Sequence, residues 1–225
     1  MLANSCGFTI PLIGRAEPSY SARHIRKSAG VQAMILSGNE DFTIQGRTTG
    51  HKVIDFWRWS SSELNDNILR AALGEYIVAS AIGDQCVDSQ RAGWRVYDLL
   101  TDYGCKIEVK TSAHRQSWSQ SKPSASIFDI GRKVDWTSDS PDANRHSDVY
   151  VFCVVNNDDP SDSLLDLSKW DFYVVATSDL NAIAGDQKTI SLSALKKRMP
   201  FVATGYSGLG LAISNVYLCA SSGME

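Results

Sequence analysis

The sequence predicts an α/β fold with a mixed central β-sheet flanked by helices. Three observations predict it. A long segment with helical apolar spacing precedes a strand–turn–strand unit over residues 94–113. The run Asp148–Val155 is almost entirely apolar strand formers, the composition of a strand covered on both faces. A second such run, Trp170–Val175, follows and leads into helix signals. An order of helix, hairpin, strand, strand, strand and short helix suits one α/β core.

With 225 residues, 43% of them hydrophobic, the chain supports one sizeable domain with an appendage. Residues 1–50 read as an N-terminal arm or extension and 51–225 as the main domain. The formal net charge of −3 excludes a generically basic coat for nucleic acid. Any contact with a polyanion must come from a local patch or a bound metal. The cysteines (Cys6, Cys86, Cys105, Cys153, Cys219) are scattered and odd in number, with no CxxC pair. That argues against a disulfide framework or a zinc site and for a reducing compartment. No apolar run reaches spanning length, and the N-terminus lacks a charged-then-apolar leader, so a soluble cytoplasmic chain is expected.

Taken in order, residues 1–50 are rich in Gly, Ser and Pro and mildly basic through Arg15, Arg23, His24, Arg26 and Lys27. A solvated, loosely ordered arm is the expectation, with a DNA-contacting arm as the alternative. The aromatics Phe56, Trp57 and Trp59 suit packing more than base stacking. Ser60 and Glu63 have capping-box spacing and are expected to open a helix running to Ile82. Its apolar stripe would hold Leu64, Ile68, Ala71, Ala72, Ala79 and Ile82. Glu75 falls on that stripe. A carboxylate there needs a salt bridge, for example to Arg70 or Arg91, or a nearby metal.

The stretch from Trp94 to Ala113 carries the chemistry. Asp102-Tyr103-Gly104 suits a hairpin loop, which pairs Thr101 with Cys105 and sets Asp98 opposite Glu108. Strand alternation puts Glu108 and Lys110 on one face and Ile107 and Val109 on the other. Asp98, Glu108 and Lys110 therefore converge. Facing carboxylates repel unless a cation lies between them, and Mg²⁺ is held by one or two carboxylates with water and substrate phosphate completing its shell. A lysine two residues on can orient a water or stabilise charge on a phosphate.

Beyond the hairpin, His114 and Arg115 are placed to meet a phosphate, and Gln116 and Gln120 follow closely. Residues 119–147 form a polar loop with a short strand at Ser126–Ile130. In it Lys122, Arg132, Lys133, Arg145 and His146 alternate with Asp129, Asp135, Asp139 and Asp142. Trp118 and Trp136 would stack on bases or pin the loop. Thr177 or Ser178 is expected to cap a short helix through Ala184. A strand is expected at Thr189–Leu192, and Ser193 is expected to start a helical turn. Leu209, Leu211 and Ile213 mark a tail that fades.

Asp98, a spacer and Glu108-Val109-Lys110 resemble the signature of the PD-(D/E)xK nuclease superfamily, the fold of many restriction endonucleases. Tyr97 stands where that pattern often has proline. The resemblance covers residues 51–200 and extends to uncharacterised bacterial members through DFWRWS, GEYIVA, EVK, SDVYVF and WDFYVV. It implies a restriction endonuclease-like core and Mg²⁺- or Mn²⁺-dependent hydrolysis of phosphodiester bonds in DNA. It further implies metal ligation by Asp98, Glu108 and the Val109 carbonyl, with Glu75 on a second metal or a metal water. Lys110 would orient or deprotonate the attacking water. His114, Arg115, Gln116 and Lys122 are the expected nucleic-acid contacts, and two subunits are expected for cutting both strands. The alternative is a non-catalytic nucleic-acid-binding or assembly module that kept the fold. A third reading makes the charges ordinary cross-strand pairs on a solvated sheet face.

Overall fold

A computed structural model describes residues 35–87, 91, 95–136, 142–159 and 161–222. Residues 1–34 of the predicted arm, together with Trp94 and Asp139, lie outside them. The first elements are the strands β1 (Asp41–Ile44) and β2 (Arg47–Lys52), an antiparallel hairpin. Gln45 and Gly46 make its turn with φ of +50° and +79°, the positive angles that a two-residue loop requires.

Helix α1 (Val53–Ser61) follows at once, and the Asp55 carboxylate accepts from the Lys52 N–H at 2.9 Å. Helix α2 (Asn67–Ile82) is a separate element, so the expected opening at Ser60 is corrected. Ser60 lies in the last turn of α1 instead. The cap is Asp66, which accepts from Ile68 N–H and Leu69 N–H and so satisfies two donors that the first turn leaves orphaned. The aromatics of α1 do not anchor it: Trp59 is 85% exposed and α1 buries none of its residues.

The core is a five-stranded mixed sheet. Its members are β3 (Leu99–Leu100), β4 (Lys106–Ala113), β8 (Val149–Val155), β9 (Trp170–Ala176) and β11 (Val202–Thr204), in the spatial order β11-β9-β8-β4-β3. Between β4 and β8 the chain makes the short strands β5 (Ile127–Asp129), β6 (Lys133–Val134) and β7 (Ala143–Asn144). The β6 and β7 strands pair with each other, and β5 pairs with β10 (Thr189–Ser191). Neighbours β4 and β8 run parallel, which such a crossover permits; β3 and β9 pair antiparallel with them.

Alternation along these strands sorts two cores. Ile107, Val109, Val151, Cys153 and Val174 face α2 and α5 (Tyr206–Ser222). Tyr150, Phe152, Val154, Tyr173 and Val175 pack with β5 and with α3 (Thr177–Ala184) and α4 (Leu192–Arg198). Every residue of β8 is buried, as its composition requires.

Four further expectations are corrected. The buried face of α2 holds Arg70, Gly74, Glu75, Ile77, Val78 and Ile82, whereas Ile68 is exposed. The stripe is rotated because Gly74, not an alkyl side chain, meets the sheet: a Cβ there would lie 2.0 Å from Thr111 Oγ1. Helix α3 starts without a side-chain cap, and α4 is capped by Ser191, whose hydroxyl accepts from Ala194 N–H. The tail is the 17-residue helix α5, with Leu209, Ala212 and Ile213 buried. A Cβ at Gly210 would stand 2.6 Å from the Ala81 carbonyl oxygen, so glycine lets α5 approach α2. Among the described residues no helix is long and apolar enough to cross a membrane.

Candidate active site

The hairpin has the register read from its loop. Leu99 lies opposite Ile107, Leu100 opposite Lys106, and the Thr101 N–H donates to Cys105 O. The paired register ends at Leu99. The first strand is short, and at its end the Asp98 N–H donates to Ile107 O at 2.9 Å while its side chain makes a second bond to β4. The Asp98 Oδ2 accepts from Val109 N–H at 2.7 Å, continuing the ladder past the end of β3.

Glu108 is 1% exposed. Its Oε1 accepts from two ammonium groups, Lys110 Nζ at 2.7 Å and Lys133 Nζ at 2.5 Å. Lys110 arrives by alternation along β4. Lys133 arrives from β6, 25 positions away in sequence. Tyr150 lies beside Glu108 in the parallel register with β8, and burial and the Glu108 charge push its phenol well above the ordinary range.

The acids are near enough to disturb each other. Burial, and next the Glu108 carboxylate, push the Asp98 carboxyl up to about 6, against the opposing pull of the Val109 N–H and Lys133. Desolvation and a like charge are what raise a carboxyl pKa. Such pairs cluster at functional sites.

Glu75 is buried and carried by α2, on the layer that covers the opposite face of β4. Both its oxygens are taken by Arg91, Nε to Oε2 at 2.6 Å and Nη2 to Oε1 at 2.8 Å, a bidentate pair. Its charge still helps raise Asp98, so it stands behind the acid pair as part of the same field. Arg70 serves elsewhere. Its buried guanidinium donates to Asn65 O, Asn67 Oδ1 and Gln116 Oε1.

The expected nucleic-acid contacts gather past the end of β4. Arg115 and Gln116 line an open cleft of about 500 Å³ with Asn65, Trp118 and Gln120. None of the acid pair lines it. Glu63, Asp159 and Asp162 do, giving the cleft a negative rim. His114 Nδ1 lies 2.9 Å from Asp158 Oδ1, and Arg115 Nε donates to Asp158 O. Lys122 is exposed on the following loop.

The donor set suits a hard cation. Among the described residues no three of His, Cys, Asp and Glu converge as a closed ligand cage. Two carboxylates, with the Val109 carbonyl next to one of them in sequence, would offer oxygen donors of the kind Mg²⁺ takes when water and substrate phosphate complete its shell. The residue that sequence reasoning missed is Lys133, noted there only as one of many alternating charges. Nothing local marks it, because its partner lies across a crossover. No family model matches the chain, and no curated protein resembles it significantly.

Proposed function

We propose that this chain is a Mg²⁺- or Mn²⁺-dependent endonuclease that hydrolyses phosphodiester bonds in DNA on a restriction endonuclease-like core. One observation carries the reading. Two carboxylates, half-buried Asp98 and buried Glu108, act on each other with lysines beside them, and Asp98 is lifted well above its ordinary range. Cross-strand charges on a solvated face would pair by opposite sign and would not be buried.

Asp98, Glu108 and the Val109 carbonyl would hold the ion, which when bound supplies Lewis acidity toward the phosphate and the leaving oxygen. Asp98 stays correctly aimed because Val109 N–H fixes one of its oxygens. Lys110, on the rigid central strand, donates a hydrogen bond to the attacking water and meets charge building on the phosphate. The Glu75–Arg91 pair adds its charges to the field around Asp98. Tyr150 and Phe152 close the floor of the site to water. A pair of subunits would cut both strands.

The test is cleavage of supercoiled and linear plasmid DNA with Mg²⁺ or Mn²⁺, by the wild type and by Asp98→Asn and Lys110→Met. Metal-dependent nicking that both substitutions abolish supports the reading. Cleavage that survives both overturns it. DNA binding without cleavage under either metal would establish the alternative, a binding or assembly module retaining the fold.

A further inference from the structure

In the arrangement described, Asp98 and Glu108 face Lys110 and Lys133, while Glu75 is matched by Arg91. With all these groups ionised the cluster is neutral. A divalent cation entering it would leave an excess of positive charge in a buried place, so one ammonium has to leave.

The two lysines are not equivalent candidates. Lys110 belongs to the central strand β4, and its side chain is 20% exposed. Lys133 belongs to β6, which pairs with β7 in a separate two-stranded ribbon outside the five-stranded sheet. Its side chain is 41% exposed, and its backbone carbonyl is held by His146 Nε2 at 2.7 Å, whatever the amine does. Lys133 can therefore swing its amine into water without moving the core, whereas Lys110 cannot.

We infer that Lys133 is the site's internal counter-cation: it neutralises Glu108 while no metal is present and is displaced when a divalent ion binds. This rests on the metal-site reading of the same acids. It gives Lys133 a positioning role, keeping the acid pair compact and ionised between turnovers. Once displaced, the ammonium stands at the rim of the site, where a substrate phosphate would meet it.

The experiment measures Mn²⁺ binding to the full chain by calorimetry, without nucleic acid. Because the ion no longer competes with an ammonium, Lys133→Met should bind Mn²⁺ about tenfold more tightly than the wild type. Lys133→Arg keeps the charge and should bind like the wild type. Asp98→Asn should lose binding. A second measurement uses the wild type alone: acetylation of the Lys133 amine, followed by mass spectrometry, should rise when Mg²⁺ is added. That readout survives even if Lys133→Met misfolds. Unchanged or weaker Mn²⁺ binding by Lys133→Met, or Mg²⁺-independent acetylation, overturns the inference and leaves the nuclease reading standing. Failure of the wild type and Lys133→Met alike to bind Mn²⁺ overturns both.

Discussion

The acid pair and the cleft beside Gln116 make an instructive contrast. The cleft has the room, about 500 Å³, and a lining rich in side chains that bind polar ligands. Yet its polar groups are already spent on one another. Gln116 Nε2 donates to Ala113 O, its Oε1 accepts from Arg70, and Asn157 bonds both the N–H and the carbonyl of Arg115. The acid pair lies outside that lining and holds a perturbed carboxyl. A carboxyl perturbed by burial and a like charge marks a candidate site more specifically than empty space does.

The largest expected effect breaks the contrast outright if it fails. Lys110→Met and Glu108→Gln should each lower metal-dependent DNA cleavage by about a thousandfold or more, measured as single-turnover nicking rates. Either variant cleaving at the wild-type rate would move the active centre elsewhere.

A structural effect comes next. Gly74→Ala drives a methyl group into Thr111, on the strand that carries Glu108 and Lys110. A loss of about 2 kcal/mol in urea unfolding is expected. Gly74→Ala combined with Thr111→Ala should recover much of it. No recovery would mean that α2 is held off the sheet by something other than this contact.

The pH response sharpens the contrast from the other side. The Asp98 carboxyl is raised to about 6 in the folded chain, above its unfolded value of about 4. The folded state therefore binds the proton more tightly across that window. Stability contributed by this group is greatest below pH 4, falls as pH rises through the window, and stays low above pH 6. Metal-free protein should lose about 1–2 kcal/mol from this source between pH 4 and pH 7, and Asp98→Asn should flatten that part of the profile. The amide oxygen introduced by that substitution would still accept from Val109 N–H, so the variant should be more stable than the wild type at pH 7. A variant less stable at pH 7 would mean that the lysines fully compensate the acids.

The smallest effect is expected in the cleft. Trp118 is 55% exposed there, and Trp118→Ala should change stability by less than about 0.5 kcal/mol. Its DNA affinity, read by fluorescence anisotropy, should stay near the wild-type value. A large loss of affinity would instead make the cleft part of the substrate path.

Much of this was legible along the chain. The loop residues Asp102-Tyr103-Gly104 set the hairpin register, and alternation then put Glu108 and Lys110 together with Ile107 and Val109 behind them. The burial of Glu75 was legible from its helical position, as was Arg91 among its candidate partners. The details that went astray were those in which a small residue did the work of a large one. Gly74 rotates the buried face of α2, and Gly210 lets α5 pack closely on α2 where the sequence suggested a fading tail. Glycine's meaning depends on what approaches it, and that neighbour lies far away in sequence.

The sequence by itself determined the hairpin register, the strands β8 and β9 and the shared face of Glu108 and Lys110, because turn chemistry and the two-residue strand period act over neighbouring residues. Only the tertiary structure decided that β8 would lie parallel to β4 and set Tyr150 beside Glu108. It also decided that Lys133 would complete the charge balance from a separate ribbon. Those contacts join residues separated by a long crossover, where packing and the electrostatics of burial, rather than local propensity, select the partner.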